Sequence, residues 1–93
     1  GLPGNINRAL PNNVDAEIFR ETWQPPKIFT EIQSLGNIDE NEMYKVFNMG
    51  IGMVLILDQQ CVDSTTEIVH SMGLSTTRIG TIRENGSGSV QII

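Results

Sequence analysis

Histidine, cysteine, tryptophan and tyrosine each occur only once in this 93-residue sequence. With His70 and Cys61 as the sole residues of their kinds, spacing alone assembles no zinc cluster, no Cys–His pair and no internal disulfide. The single cysteine fits a reducing, cytosolic setting. Basic residues are scarce too, six against eleven acidic ones for a net charge of -5. That balance argues against nucleic acid as a partner, since nucleic-acid-binding domains carry a basic face. No apolar run approaches the roughly 20 residues that span a bilayer, so no membrane partner is expected. The opening GLPGNINRALP has neither the basic start nor the apolar centre of a secretory signal. Without an initiator methionine, it reads as a piece cut from something longer.

What is present patterns well for one small domain with a modest core. Residues 4–10 place Ile6, Ala9 and Leu10 at helical spacing and stop at Pro11. Val14, Ala16 and Ile18 alternate with Asp15 and Glu17, as in a strand with one buried face. The chain loosens around Trp23, and Pro26 opens a helix with the stripe Ile28, Phe29, Ile32 and Leu35, ended by Gly36. Asp39 is the N-cap of the next helix, Glu42 completes an acidic capping box, and Ile38 staples to Met43. That helix carries Met43, Val46 and Phe47 inward. Residues 53–57 read as a fully buried strand. Val62, Thr65, Ile68, Val69 and Met72 repeat at helical spacing before Gly73. A strand over 76–83, a turn at NGSGS and a last strand over 90–93 that pairs back close the chain. The order is an α+β layer with a sheet of about four strands.

Two places have chemical interest. Gly50-x-Gly52 precedes a strand, whereas a dinucleotide fingerprint follows one and opens a helix. On spacing alone the two glycines are the passage from helix to strand, crowded against any side chain, with the polar Asn48 just ahead of it. The N-terminal GLPGNINR places glycines before a helix start, with Asn5 and Arg8 in its first turns. Free N–H groups, the positive end of a helix dipole and a guanidinium suit an anion. His70 reads as a partly packed imidazole, Cys61 as an inert small side chain, and Asp15, Glu17, Glu31, Glu40 and Glu67 as solvated faces. No Walker-type phosphate loop is present.

Four motifs in one order carry a resemblance. They are G-x-x-x-N-I-x-R-x-L-P (Gly1, Asn5, Ile6, Arg8, Leu10, Pro11) and W-x-x-P-x-I-F (Trp23, Pro26, Ile28, Phe29). L-G-N (Leu35, Gly36, Asn37) follows, then E-M-Y-x-x-F-N-M-G-I-G-M from Glu42 to Met53. Together, with R-I-G at Arg78, Ile79 and Gly80, the sequence resembles the C-terminal end of the aminoimidazole ribonucleotide synthetase (phosphoribosylformylglycinamidine cyclo-ligase) family. The resemblance covers nearly all of this chain and about the last quarter of such an enzyme. Pro3-Gly4 and Asn7 depart from the family's usual residues near the helix start.

The resemblance implies an α+β fold with a mixed, mainly antiparallel sheet, partly ferredoxin-like. It implies ATP- and Mg²⁺-dependent ring closure of formylglycinamidine ribonucleotide in purine synthesis by a cytoplasmic homo-oligomer. An N-terminal ATP-binding and dimerising domain, absent here, would hold the cofactors. Gly1 would end a glycine-rich loop, Gly1, Asn5 and Arg8 would bind substrate or phosphate, and Asn48 would be the candidate catalytic residue. Gly50 and Gly52 would be structural. Two other readings stand beside this one: a related phosphoryl-transfer enzyme acting on selenide or thiamine phosphate, and a stand-alone binding module without catalysis. With one histidine and one cysteine, elemental analysis of the purified chain should find no stoichiometric zinc; one zinc per chain would overturn this reading.

Overall fold

The computed structural model describes residues 1–93. Its elements in order are α1 (Leu2–Ala9), β1 (Val14–Ile18), α2 (Lys27–Gly36), α3 (Glu40–Val46), α4 (Val62–Ser71), β2 (Gly80–Glu84) and β3 (Val90–Ile92). Short 3-10 turns precede α2 and α4 at Arg20–Thr22 and Gln59–Cys61. The α+β reading is borne out, with a mixed sheet of three strands rather than about four. No helix is long and apolar enough to cross a membrane.

β1 is the middle strand. It runs antiparallel to β2, with Val14 opposite Glu84 and Ile18 opposite Gly80. On its other side it runs parallel to β3, with Ala16 opposite Val90 and Ile18 opposite Ile92. The alternation read from sequence holds: Ala16 and Ile18 are buried, while Asp15 and Glu17 stay partly exposed. Glu17 pairs diagonally with Arg83 of β2, the arrangement that favours opposite charges across strands.

The structure departs from the sequence pattern in several places. The last strand does not pair back on β2, because β1 lies between them. The reason is a long-range one: residues 85–89 cross the start of β1 and are tied to it. Asp15 Oδ1 accepts the Ser87 amide at 2.8 Å and the Ser89 amide at 2.9 Å. The Gly86 and Gly88 amides donate to the Asn13 and Val14 carbonyls, both at 2.9 Å. Next, residues 53–57 form no strand and are not buried; Met53 is 82% exposed. A strand exists only through a ladder, and this run has no neighbour to bond. Finally, α4 contributes no buried residue, since nothing in the chain covers its apolar stripe; Ile68 and Met72 face solvent.

The core has two parts. Leu2, Ile6 and Leu10 of the first helical segment pack on Ala16 and Ile18, and Met43, Tyr44 and Met49 form the second cluster. Trp23 and Ile92 touch both. α1 begins two residues earlier than the sequence pattern indicates, because Pro3 is tolerated in a first turn, and this brings Leu2 into the core. Tyr44 is buried in place of Val46, which is exposed. On α2 only Phe29 and Ile32 pack against the second cluster, and Leu35 is 90% exposed. The helix ends at Gly36, as expected, but the left-handed residue that closes it is Asn37, at φ 49°. Amides of Asn37 and Ile38 then reach back to the Ser34 and Gln33 carbonyls at 3.3 and 3.0 Å, a Schellman closure. Asp39 caps α3 by accepting the Asn41 amide at 3.0 Å, while Glu42 stays exposed.

Asp15, expected on a solvated face, is instead the anchor of the crossing loop. The amides of Ser87 and Ser89 hold its carboxyl below the ordinary value of 3.8. A depressed folded-state pKa stabilises the fold above the unfolded value, and this contribution disappears as pH falls through the folded value. Asp15→Asn should therefore lower the thermal midpoint at neutral pH, with the gap to wild type closing below about pH 4. Parallel melting curves across the acid range check this, and a gap independent of pH would contradict it.

Candidate functional site

The N-terminus of α1 abuts the C-terminus of α3. Leu2 donates its amide to the Phe47 carbonyl at 3.3 Å, and a Cβ on Gly1 would overlap the carbonyls of Tyr44 and Lys45. The positive end of one helix dipole thus meets the negative end of another. This contact uses the Leu2 N–H, and Pro3 has none, so Gly4 holds the first turn's remaining backbone donor. Asn5 turns inward on its own helix: Nδ2 donates to the Gly1 carbonyl at 2.7 Å, leaving Oδ1 as a free acceptor.

Beyond α3 the chain reverses in a tight turn over residues 48–51. Ile51 donates to the Asn48 carbonyl at 3.0 Å, and both central residues have positive φ, 54° for Met49 and 94° for Gly50. This is a type I′ turn. Left-handed geometry costs a non-glycine residue about 1–2 kcal/mol, so Met49 is held against its preference. Asn48 Oδ1 accepts the Gly50 amide at 2.9 Å, which leaves Nδ2 of Asn48 as a free donor. Gly50 has a second constraint, because a Cβ there would collide with the Pro26 ring. Gly52 differs. No atom lies within 4 Å of where its Cβ would stand, so the expectation that any side chain would crowd both glycines holds for Gly50 alone.

Between α1 and the chain after this turn lies a cavity of about 330 Å³, lined by Gly1, Asn5, Ile6, Asn48, Gly52 and Val54 among others. Four of the residues singled out in the sequence meet here: Gly1, Asn5, Asn48 and Gly52. Gly50 and Arg8 lie outside the lining, both exposed, Arg8 on α1. Arg8 takes part in none of the molecule's ion pairs. Cys61 and His70 are elsewhere; Cys61 is exposed, and His70 Nε2 faces Thr76 Oγ1 at 3.0 Å. The lining has no ionisable side chain, and no group of three or more His, Cys, Asp and Glu residues converges anywhere in the chain. These residues do not fit a Mg²⁺ site, which requires carboxylate oxygens. What the wall offers is one amide donor and one amide acceptor above an apolar floor.

The turn's support was not foreseen in the sequence. Trp23 Nε1 donates to the Met49 carbonyl at 3.0 Å, and its ring meets Tyr44 edge-on at 6.2 Å. Arg20 adds to the same face, with its guanidinium 5.4 Å above the Tyr44 ring and 2.8 Å from Glu40. Burial and the nearby Glu40 carboxylate push the Tyr44 hydroxyl pKa up, against the pull of Arg20. The Trp-x-Pro-Pro spacing was the one available signal, since a large ring beside two prolines is rarely free in solvent.

The family model described as AIR synthase related protein, C-terminal domain, matches residues 1–93. The chain belongs to that family. Among curated relatives, the phosphoribosylformylglycinamidine cyclo-ligase of Nitrosospira multiformis is 44% identical over 84 residues, covering 90% of this chain and 24% of the relative. Those of Thermodesulfovibrio yellowstonii and Methylobacillus flagellatus are 37% and 38% identical over 99% and 100% of this chain, and 27% of each relative. As an AIR synthase C-terminal domain, the chain therefore spans about a quarter of the length of these relatives.

Gly50→Ala should destabilise the chain by about 2 kcal/mol, from overpacking against Pro26 and the left-handed backbone. Gly52→Ala should stay within about 0.5 kcal/mol of wild type. Urea denaturation of both variants distinguishes them, and equal losses would remove the difference assigned to the two glycines.

Proposed function

We propose that this chain supplies one wall of the reaction cleft of a phosphoribosylformylglycinamidine cyclo-ligase. The observation that carries the proposal is the meeting of Asn5 and Asn48, each with one half of its amide uncommitted, in a single uncharged cavity. A formamide edge carries an oxygen that accepts and an N–H that donates. Asn48 Nδ2 and Asn5 Oδ1 match that pair in chemistry. In the proposed reaction the formyl oxygen takes up a phosphoryl group from ATP. An amidine nitrogen then attacks the formyl carbon, the C–O bond breaks, and phosphate and a proton leave with the ring closed.

Arg8 extends the same reading. It lies one helical step, i to i+3, from Asn5 on α1, about 5 Å along the axis. A ribonucleotide with its formamide end in the cavity has its phosphate outside, where an unpaired guanidinium is available for a bidentate contact. ATP and Mg²⁺ would be held by the remaining three quarters of the enzyme, working in the cytoplasm as a homo-oligomer. The chain alone is expected to be inactive, since ring closure requires both walls oriented together.

The test is a chimera in which this chain replaces the last quarter of the Nitrosospira multiformis relative, assayed for ATP-dependent ring closure. It should be active, whereas the isolated chain should not exceed a no-protein control. Arg8→Ala should lower kcat/KM about tenfold or more, as expected for a lost charged hydrogen bond of about 1.5–3 kcal/mol, and Asn5→Ala and Asn48→Ala should each lower it about two- to tenfold, as expected for neutral ones of about 0.5–1.5 kcal/mol. His70→Ala and Cys61→Ala should leave it unchanged. An active chimera indifferent to all three substitutions would remove these residues from the site, and turnover by the isolated chain would overturn the division of labour.

A further inference from the structure

We propose that Trp23 is a positioning residue for the candidate site, locking the 48–51 turn in the form that leaves the Asn48 amide free toward the cavity. One peptide group, joining Met49 to Gly50, is gripped on both sides. Its carbonyl accepts from Trp23 Nε1 at 3.0 Å, and its N–H donates to Asn48 Oδ1 at 2.9 Å. Rotation of this central peptide is the move by which a tight turn changes type. If it rotates, the Gly50 N–H points away from Asn48, and the Asn48 side chain loses the bond that fixes its orientation. The Trp23 bond opposes that rotation from the side opposite the cavity.

The indole is well placed to act as a fixed donor. It packs against both core clusters and lies edge-on to Tyr44, which is buried. The Met49 side chain is buried in the second cluster, behind the turn, while Asn48 and Gly52 line the cavity in front. Holding Met49 at φ 54° and Gly50 at φ 94° therefore falls to the contacts behind the turn: the indole N–H, the buried thioether and the Pro26 ring. Among these, only Trp23 bonds the peptide that orients Asn48.

The part of this proposal that concerns turnover rests on the reading of the cavity as a reaction site; the part that concerns the turn does not. Two replacements remove the donor: Trp23→Phe, and the sulfur isostere β-(3-benzothienyl)alanine at position 23, which keeps the bicyclic shape. In the 93-residue chain, amide hydrogen exchange is measured by NMR. Both variants should speed exchange at Gly50 and Ile51 about tenfold, the effect of losing one hydrogen bond, while the β1 amides keep their protection. In the chimera, the isostere should lower kcat/KM as far as Asn48→Ala does, and combining the two should lower it no further. Unchanged exchange at Gly50 with the isostere would overturn the lock. Faster exchange with kcat/KM unchanged, or losses that multiply with Asn48→Ala, would show that Trp23 does not act through Asn48. An inactive wild-type chimera would count against the cyclo-ligase reading, and the exchange result would still decide the lock.

Discussion

One strand, Val14–Ile18, carries the rest of the structure, because it alone has a bonded neighbour on each side. Its inward residues differ in size, and the difference matters. Ala16, 1% exposed, is small enough to let the α1 residues Leu2 and Ile6 close over the strand, while Ile18 fills the space beside it. Burying a large aliphatic side chain contributes roughly 1.5–3 kcal/mol, so the first cluster accounts for much of the favourable burial in a domain this small. The opposite, polar face of the strand does separate work: Asp15 gathers loop amides and Glu17 pairs with Arg83.

The candidate site lies beside the first cluster, with Leu2 and Ile6 in its lining, and its residues come from elements far apart in sequence. α1 brings Asn5, the turn after α3 brings Asn48, and the head-to-tail contact of the two helices sets the distance between them. That contact is made by backbone, with Gly1 against the carbonyls of Tyr44 and Lys45. Side-chain choices in the cavity are thereby left free of the task of holding the helices together. An acidic protein thus presents an uncharged recess whose polar groups are amides already half committed to their own backbone, and so oriented before any ligand arrives.

Features that depend on neighbours in sequence were legible in it. The alternation of β1, the Asp39 cap, the opening of α2 after Pro26 and the helical spacing of residues 62–72 all rest on local geometry, and all are present. Features that depend on a distant partner were not. The apolar run at 53–57 has the composition of a buried strand, but composition does not supply the second strand. Asp15 looks like any surface carboxylate until residues 85–89 arrive to bond it. The N-terminal glycines and Arg8 suggested one anion site, yet Pro3 and the Leu2–Phe47 bond leave little backbone donation there. The amides of Asn5 and Asn48 converge instead, a juxtaposition across some forty residues that spacing alone does not reveal. The role of Trp23 is not legible from its loosened segment, because its partner is the Met49 carbonyl, and any residue has a carbonyl.

The parallel pairing of β1 with β3 has a consequence for how the chain reaches its fold. Ala16 takes its place beside Val90, so the middle strand gains its second neighbour only when nearly the whole chain has been synthesised. Such non-local pairings require loop closure before any contact offsets it, and they slow folding relative to local ones. Until then, β1 has open hydrogen-bonding groups on the edge that β3 will take, and the inward faces of Ile6 and Ile18 lack their cover from Val90 and Ile92. The five-residue crossing at 85–89, tied to Asp15, is therefore the closing clasp of a structure whose first strand waits for its last.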